Sequence, residues 1–285
     1  MSFGLPPGDG QQLNYGGYLR IRELTSLQKL LSDPPQHDEM LFIIIHQIYE
    51  LWFKELLNEI DSIIQRLTTG DILGAHRLLR RCIEIERVLI SQVAVLETMT
   101  PVDFLNFRDE LMPASGFQSA QFREIEIASG LKERRFLAHY RKDSEEYLQL
   151  ESRMKRPSIR EAFEDLLQNM GFNIRGEQTP PDTGEVSQRQ YMMELSRLFL
   201  DADQHYSLFL LAESLIEYDE MFALWRLRHV KMVERMIGSK TGTGGSEGAA
   251  YLKTTVDRMF FPALWEVRTY LSRKSMPGEP DHKEN

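Results

Sequence analysis

Between Asp38 and about Leu67, apolar side chains recur at the spacing of a single helical face: Phe42, Ile45, Tyr49, Trp52, Leu56, Ile60, Ile63 and Leu67. A helix that long with one apolar stripe is not stable alone. It must bury that stripe against other elements. Pro34 and Pro35 precede the run, and Thr68-Thr69-Gly70 closes it. The partners it needs also read as helices, so the pattern predicts an all-α bundle.

A second long helix fits Ile72 to Met99. Thr100-Pro101-Val102-Asp103 then has the form of a new start, with Thr100 as N-cap and proline in the first turn. That third helix runs to about Met112 and carries Phe104, Leu105, Phe107 and Arg108. Pro113 to Gly116 is a break. Phe117–Ser129, Lys132–Lys155 and Ser158–Met170 read as further helices, divided by Gly130 and Pro157. Phe172–Glu185 is a polar loop. Ser187–Ile237 is helical in pattern but long for one globular helix, so a break is expected within it. Gly238–Gly248 is glycine-rich, and a last helix runs from about Ala249 to Ser272, interrupted near Pro262. The tail from Arg273 is polar and reads as disordered. No run alternates apolar and polar residues as a strand would.

With 43 acidic against 34 basic residues, the formal charge of −9 argues against a broad phosphate-binding surface and hence against nucleic acid as a general partner. Cys82 is the only cysteine, which rules out an intrachain disulfide and any cysteine-rich metal site. No apolar run approaches the roughly 20 residues needed to span a bilayer. The N-terminus lacks the basic-then-apolar form of a secretory signal, so a cytoplasmic protein is expected.

Two histidines stand out by position. His46 lies among Phe42, Tyr49 and Phe53 on one face, and His229 among Phe222, Trp225, Met232, Val233 and Met236. A histidine on an apolar face is usually a core residue bonded to a carbonyl or a neighbour. Two of them on separate helices suggest a cofactor slot. Haem suits it: the iron takes an axial imidazole, and the ring needs aromatic and aliphatic walls. Arg108, beside Phe104 and Phe107, either pairs with a neighbouring carboxylate such as Asp109 or Glu110, reaches solvent, or clamps a ligand carboxylate. The Gly242–Ser246 loop is either a plain connector or a lid over a ligand, with Thr243 supplying a hydroxyl.

Together, YGGYL (15–19), HDEMLFIIIHQIYELWFKEL (37–56), LETMTPVDFLNFRDELMPASGFQSAQFR (96–123), LWRLRHVKMVERMIGSKTGTGGSEG (224–248) and FFPALWEVRTYL (260–271) resemble the tryptophan 2,3-dioxygenase family. Residues from about Glu124 to Leu211 add little to that resemblance beyond helices.

The resemblance implies a helical bundle enclosing a haem b, one per subunit and ferrous when active, in a homotetramer. The implied reaction cleaves the indole C2–C3 bond of L-tryptophan with O2 to give N-formyl-L-kynurenine. It makes His229 the iron ligand and His46 the catalytic residue that hydrogen-bonds the indole N–H, with Phe42 beside it. Arg108 becomes the carboxylate clamp, Thr243 a contact for the substrate's ammonium and carboxylate, and Ser115, with Gly116, a contact near the haem. Tyr15, Tyr18 and Leu19 match an N-terminal segment that a neighbouring subunit contributes. The implied division is an arm over 1–36, a catalytic domain over 37–272 and a tail over 273–285. Two positions depart from the commoner pattern: Phe104 stands where some members carry a substrate-binding tyrosine, and Glu247 where many have serine. Relatives on the same scaffold insert a single oxygen into an indole to give an oxindole, so product mass separates the two outcomes.

Overall fold

The computed structural model describes residues 13–174, 184–240 and 248–272. All regular structure among them is helical. The arm holds two single-turn helices, α1 (Tyr15–Tyr18) and α2 (Ile21–Leu24). The body comprises α3 (His37–Thr68), α4 (Ile72–Leu96), α5 (Pro101–Arg108), α6 (Ala120–Ser129), α7 (Glu145–Lys155), α8 (Ile159–Asn169), α9 (Gly184–Leu200), α10 (Tyr206–Ile237), α11 (Ala249–Lys253) and α12 (Pro262–Glu266).

The long helices α3, α4 and α10 form the frame: α4 packs against both others, antiparallel to α3, with Tyr49 on Leu89 and Glu59 on Arg81, and parallel to α10, with His76 on Ser214 and Glu97 on Arg228. Their apolar stripes meet in one large core that includes Leu56, Ile60, Leu79, Ile83, Leu211 and Phe222. A second, smaller core gathers Ile45, Val93, Leu96, Met99, Phe107, Met232 and Met236 at the other end of the same helices. The helix starts follow local chemistry. Asp71 accepts from Gly74 N at 2.9 Å to open α4. Thr100 and Asp103 form a capping box on α5, with Pro101 in the first turn.

Several boundaries differ from the sequence expectation. Lys132–Lys155 is not one helix: Arg134–His139 is a 3-10 turn and α7 starts only at Glu145. The reason is packing. Adjacent Phe136 and Leu137 are both buried, in a satellite cluster with Ile127 and Leu150, and Ser144 then caps a fresh helix. The helix expected from Phe117 begins at Ala120, because Ser119 caps it through Phe122 N. The third helix tightens to 3-10 geometry over Asp109–Leu111. The expected break within 187–237 lies at 201–205, where His205 meets Phe172 edge-on at 4.9 Å between ring centroids. The segment after Gly248 contains two short helices and a 3-10 turn over Val267–Tyr270. The polar tail from Arg273, most of the glycine-rich loop and Thr243 lie outside the described residues.

Long-range polar contacts fix the helix that carries His229. Arg228 and Arg235 on α10 both pair with Glu97, the C-cap of α4. Buried Asp219 on α10 accepts from the backbone of Phe260 (2.9 Å) and Phe261 (3.0 Å) and from Trp265 Nε1 (3.1 Å). This draws the C-terminal segment onto the bundle. Gly130 ends α6 at φ +147°, and an added Cβ would meet the Phe260 carbonyl at 3.0 Å, so glycine suits both the turn and the close approach. Among the described residues no single helix is long and apolar enough to cross a membrane.

A candidate active site between two histidines

A cavity of about 260 Å³ opens where α3, α5, α6 and α10 converge. Phe42, His46, Tyr49, Glu50 and Phe53 of α3 line one wall. Phe104 and Arg108 of α5 close one end, with Ser115 and Gly116 from the loop that follows. Trp225, Arg226, His229, Met232, Val233 and Met236 of α10 form the opposite wall. Val93, Leu96 and Met99 supply aliphatic surface from α4 and the turn after it.

The imidazole of His46 is set by its own helix. Nδ1 lies 2.7 Å from the carbonyl of Phe42, one turn earlier, and the Phe42 ring stacks on it at 4.1 Å between centroids. A carbonyl oxygen can only accept, so the proton of a neutral ring sits on Nδ1 and Nε2 keeps its lone pair. Burial holds the ring's pKa below the ordinary histidine range, outweighing the Phe42 hydrogen bond and the Glu50 carboxylate, which act the other way. His46 is therefore a neutral acceptor at neutral pH. Phe42 is itself wedged between Phe104 (5.8 Å) and Phe107 (5.6 Å).

His229 is held differently. Its ring lies parallel to Trp225 at 5.3 Å, with an interplanar angle of 2°. It makes no hydrogen bond among the described residues. Burial, and secondarily the nearness of His46, push its pKa down to about 4. The result is a neutral imidazole on an apolar, aromatic wall with one unused nitrogen lone pair. That is the form in which histidine ligates a metal. A flat apolar macrocycle also fits the walls, so the residues present suit a haem.

The structure brings Phe42, His46, Phe104, Arg108, Ser115, Gly116 and His229 to one cavity, although they span most of the chain. It leaves Tyr15, Tyr18 and Leu19 away from it: they are exposed on and just after α1, at 75%, 65% and 42%. Sequence reasoning missed Arg123, Glu126 and Arg226, which line the cavity while being almost fully buried. The signal was present: Arg123 and Glu126 stand one turn apart in an otherwise buried helix, and Arg226 is one turn before His229.

A model of the tryptophan 2,3-dioxygenase family matches residues 7–180 and 185–271. Relatives bearing that name include proteins of Nocardioides sp. (45% identity over 267 residues, covering 92% of this chain and 96% of the relative) and Herpetosiphon aurantiacus (45% over 261 residues, 92% and 99%). Another, from Anaeromyxobacter dehalogenans, is 42% identical over 270 residues, covering 92% and 98%.

Proposed function

The chain belongs to the tryptophan 2,3-dioxygenase family, and on that premise we propose that the cavity between His46 and His229 is where L-tryptophan meets dioxygen over a haem b. The enzyme is an oxidoreductase that opens the indole C2–C3 bond with O2 to give N-formyl-L-kynurenine. The family is haem-dependent, and the ferrous haem, when bound, supplies the dioxygen chemistry. The protein supplies position and polarity.

Each side chain has a distinct task. His229 would hold the metal through a neutral nitrogen. His46 accepts the indole N–H at Nε2 and so sets the orientation of the ring. It need not remove that proton. Phe42 and Phe104 wall the indole, and Arg108 pairs with the carboxylate; Thr243, the further carboxylate contact that the resemblance implies, lies outside the described residues. Ser115 and Gly116 border the haem on the loop before α6. Fixing the amino-acid end and the indole N–H together leaves little freedom at the reacting edge, which is how orientation lowers a barrier. The lack of a hydroxyl at Phe104 leaves Arg108 as the principal carboxylate donor of α5.

The exposed Tyr15, Tyr18 and Leu19 support an arm over 1–36 that completes a neighbouring subunit's site in a homotetramer. The single buried thiol of Cys82 suits the reducing cytoplasm.

The observation that carries this reading is the pairing of two neutral imidazoles across one aromatic cavity, with the acceptor nitrogen of His46 left open by the Phe42 carbonyl. It is tested by reconstituting the protein with haem, reducing it anaerobically, adding L-tryptophan and 18O2, and weighing the product. The expected product carries two labelled oxygens and an opened ring. One labelled oxygen on an intact oxindole would assign the monooxygenase reaction instead. In the same assay His229→Ala should lose the Soret band of bound haem.

A further inference from the structure

Arg123, Glu126 and Arg226 form a buried cluster on the cavity wall, at 4%, 1% and 3% exposure. Glu126 sits between the two guanidiniums, 2.5 Å from Arg123 Nη1 and 3.0 Å from Arg226 Nη2. A third guanidinium is adjacent. Arg226 donates to the carbonyl of Arg258 at 2.7 Å, and Arg123 and Arg258 both lie over the Phe136 ring, at 5.0 and 5.8 Å. Yet Arg123 Nε, Arg226 Nε and Arg258 Nη1 are buried with no hydrogen-bond partner among the described residues.

Donors are therefore in excess on this wall. Glu50, on the same cavity, is held by Gln121 from α6, at 2.8 Å. Arg123 and Arg226 thus share the single carboxylate of Glu126, and Arg258 does not line the cavity. Glu86, the other acid near Arg226, is not on the cavity wall, and burial pushes its carboxyl up to about 8. Buried cations with open donors are costly unless an anion completes them. A guanidinium fork selects a carboxylate.

We propose that Arg123 and Arg226 bind a carboxylate inside the cavity, contributed by a propionate at the edge of the haem. Two carboxylates could reach this wall, the cofactor's or the substrate's. Arg108 already serves the latter from α5, so the former is assigned here. The inference rests on the haem reading above.

The test titrates haemin and its dimethyl ester, in which both propionates are masked, into the apo-protein and follows the Soret band. The unmutated protein should prefer haemin by roughly tenfold to a hundredfold. Arg123→Gln should bring the two affinities within about threefold, leaving ester affinity unchanged. Glu126 keeps Arg226 as its partner in that variant. If Arg123→Gln loses the wild-type circular dichroism, Arg123→Lys takes its place and should show an intermediate preference. Equal binding of haemin and ester by the unmutated protein overturns the proposal, as does a preference retained in Arg123→Gln. A second arm compares L-tryptophan with tryptamine on the haem-loaded proteins. If Arg123→Gln erases that discrimination and keeps the haemin preference, the carboxylate is the substrate's and the propionate assignment falls. Failure of the unmutated protein to bind haemin at all would sink the haem reading itself, a different result from binding without ester discrimination.

Discussion

The carbonyl of Phe42 stands 2.7 Å from Nδ1 of His46, and the Phe42 ring lies 4.1 Å from the same imidazole. One residue thus fixes both the tautomer and the tilt of its partner a turn away. The open nitrogen, Nε2, is left as an acceptor without help from any other element.

That acceptor should be read by the indole N–H alone. His46→Ala is expected to weaken L-tryptophan binding by about 0.5–1.5 kcal/mol, or roughly twofold to tenfold. A substrate methylated on the indole nitrogen has no proton to give, so it should bind the two proteins alike. Binding isotherms on the haem-loaded enzymes check this. Loss of turnover with unchanged tryptophan affinity would show that His46 acts in the chemistry and does not orient.

Arg108 lines the cavity from α5, one turn after Phe104. Arg108→Ala should cost about 2–5 kcal/mol in kcat/KM for L-tryptophan, because a charged hydrogen-bonded partner is lost. For tryptamine, which lacks the carboxylate, the loss should be small. Equal losses for both substrates would contradict the clamp.

Asp219 organises three donors of the C-terminal segment: two backbone N–H groups and the Trp265 indole. Asp219→Ala leaves these buried donors unmatched, and the expected destabilisation is about 2–4 kcal/mol. Urea unfolding measures the loss. Faster amide exchange at Phe260 and Phe261 than in α3 would locate it.

Glu86 is buried without a hydrogen bond to either oxygen among the described residues, and its carboxyl rises from 4.5 to about 8 for want of solvation. Between those two values the folded protein holds a proton that the unfolded chain releases. Stability attributable to this group therefore falls as pH rises from about 4.5 to about 8. Glu86→Gln, neutral at every pH, should match the parent near pH 4.5 and exceed it by about 2 kcal/mol or more at pH 8. Chemical denaturation at the two pH values decides it. A gain independent of pH would mean that the Glu86 carboxyl keeps an ordinary pKa.

The helical class was legible because the apolar spacing of α3, α4 and α10 repeats for many turns. Long amphipathic stripes admit few other solutions. His46 and His229 were legible for a related reason: a titratable ring on an apolar face is out of place on any helix. The segment 132–144 was misread because helical propensity is a local quantity. Burying both Phe136 and Leu137 is a tertiary demand, and it unwound the start of the expected helix into a 3-10 turn.

The sequence by itself determined that the chain is helical, that Thr100 opens α5, and, through its motifs, which family it belongs to. Only the tertiary structure decided that residues as distant as Phe42, Arg108 and His229 face one cavity. It also decided that Arg123 and Arg226 share one buried carboxylate, Glu126, on the wall of that cavity. Spacing along a chain reports which face of a helix a residue occupies. Which faces meet is set by packing among helices remote in sequence, and so is whether a buried charge finds its partner there.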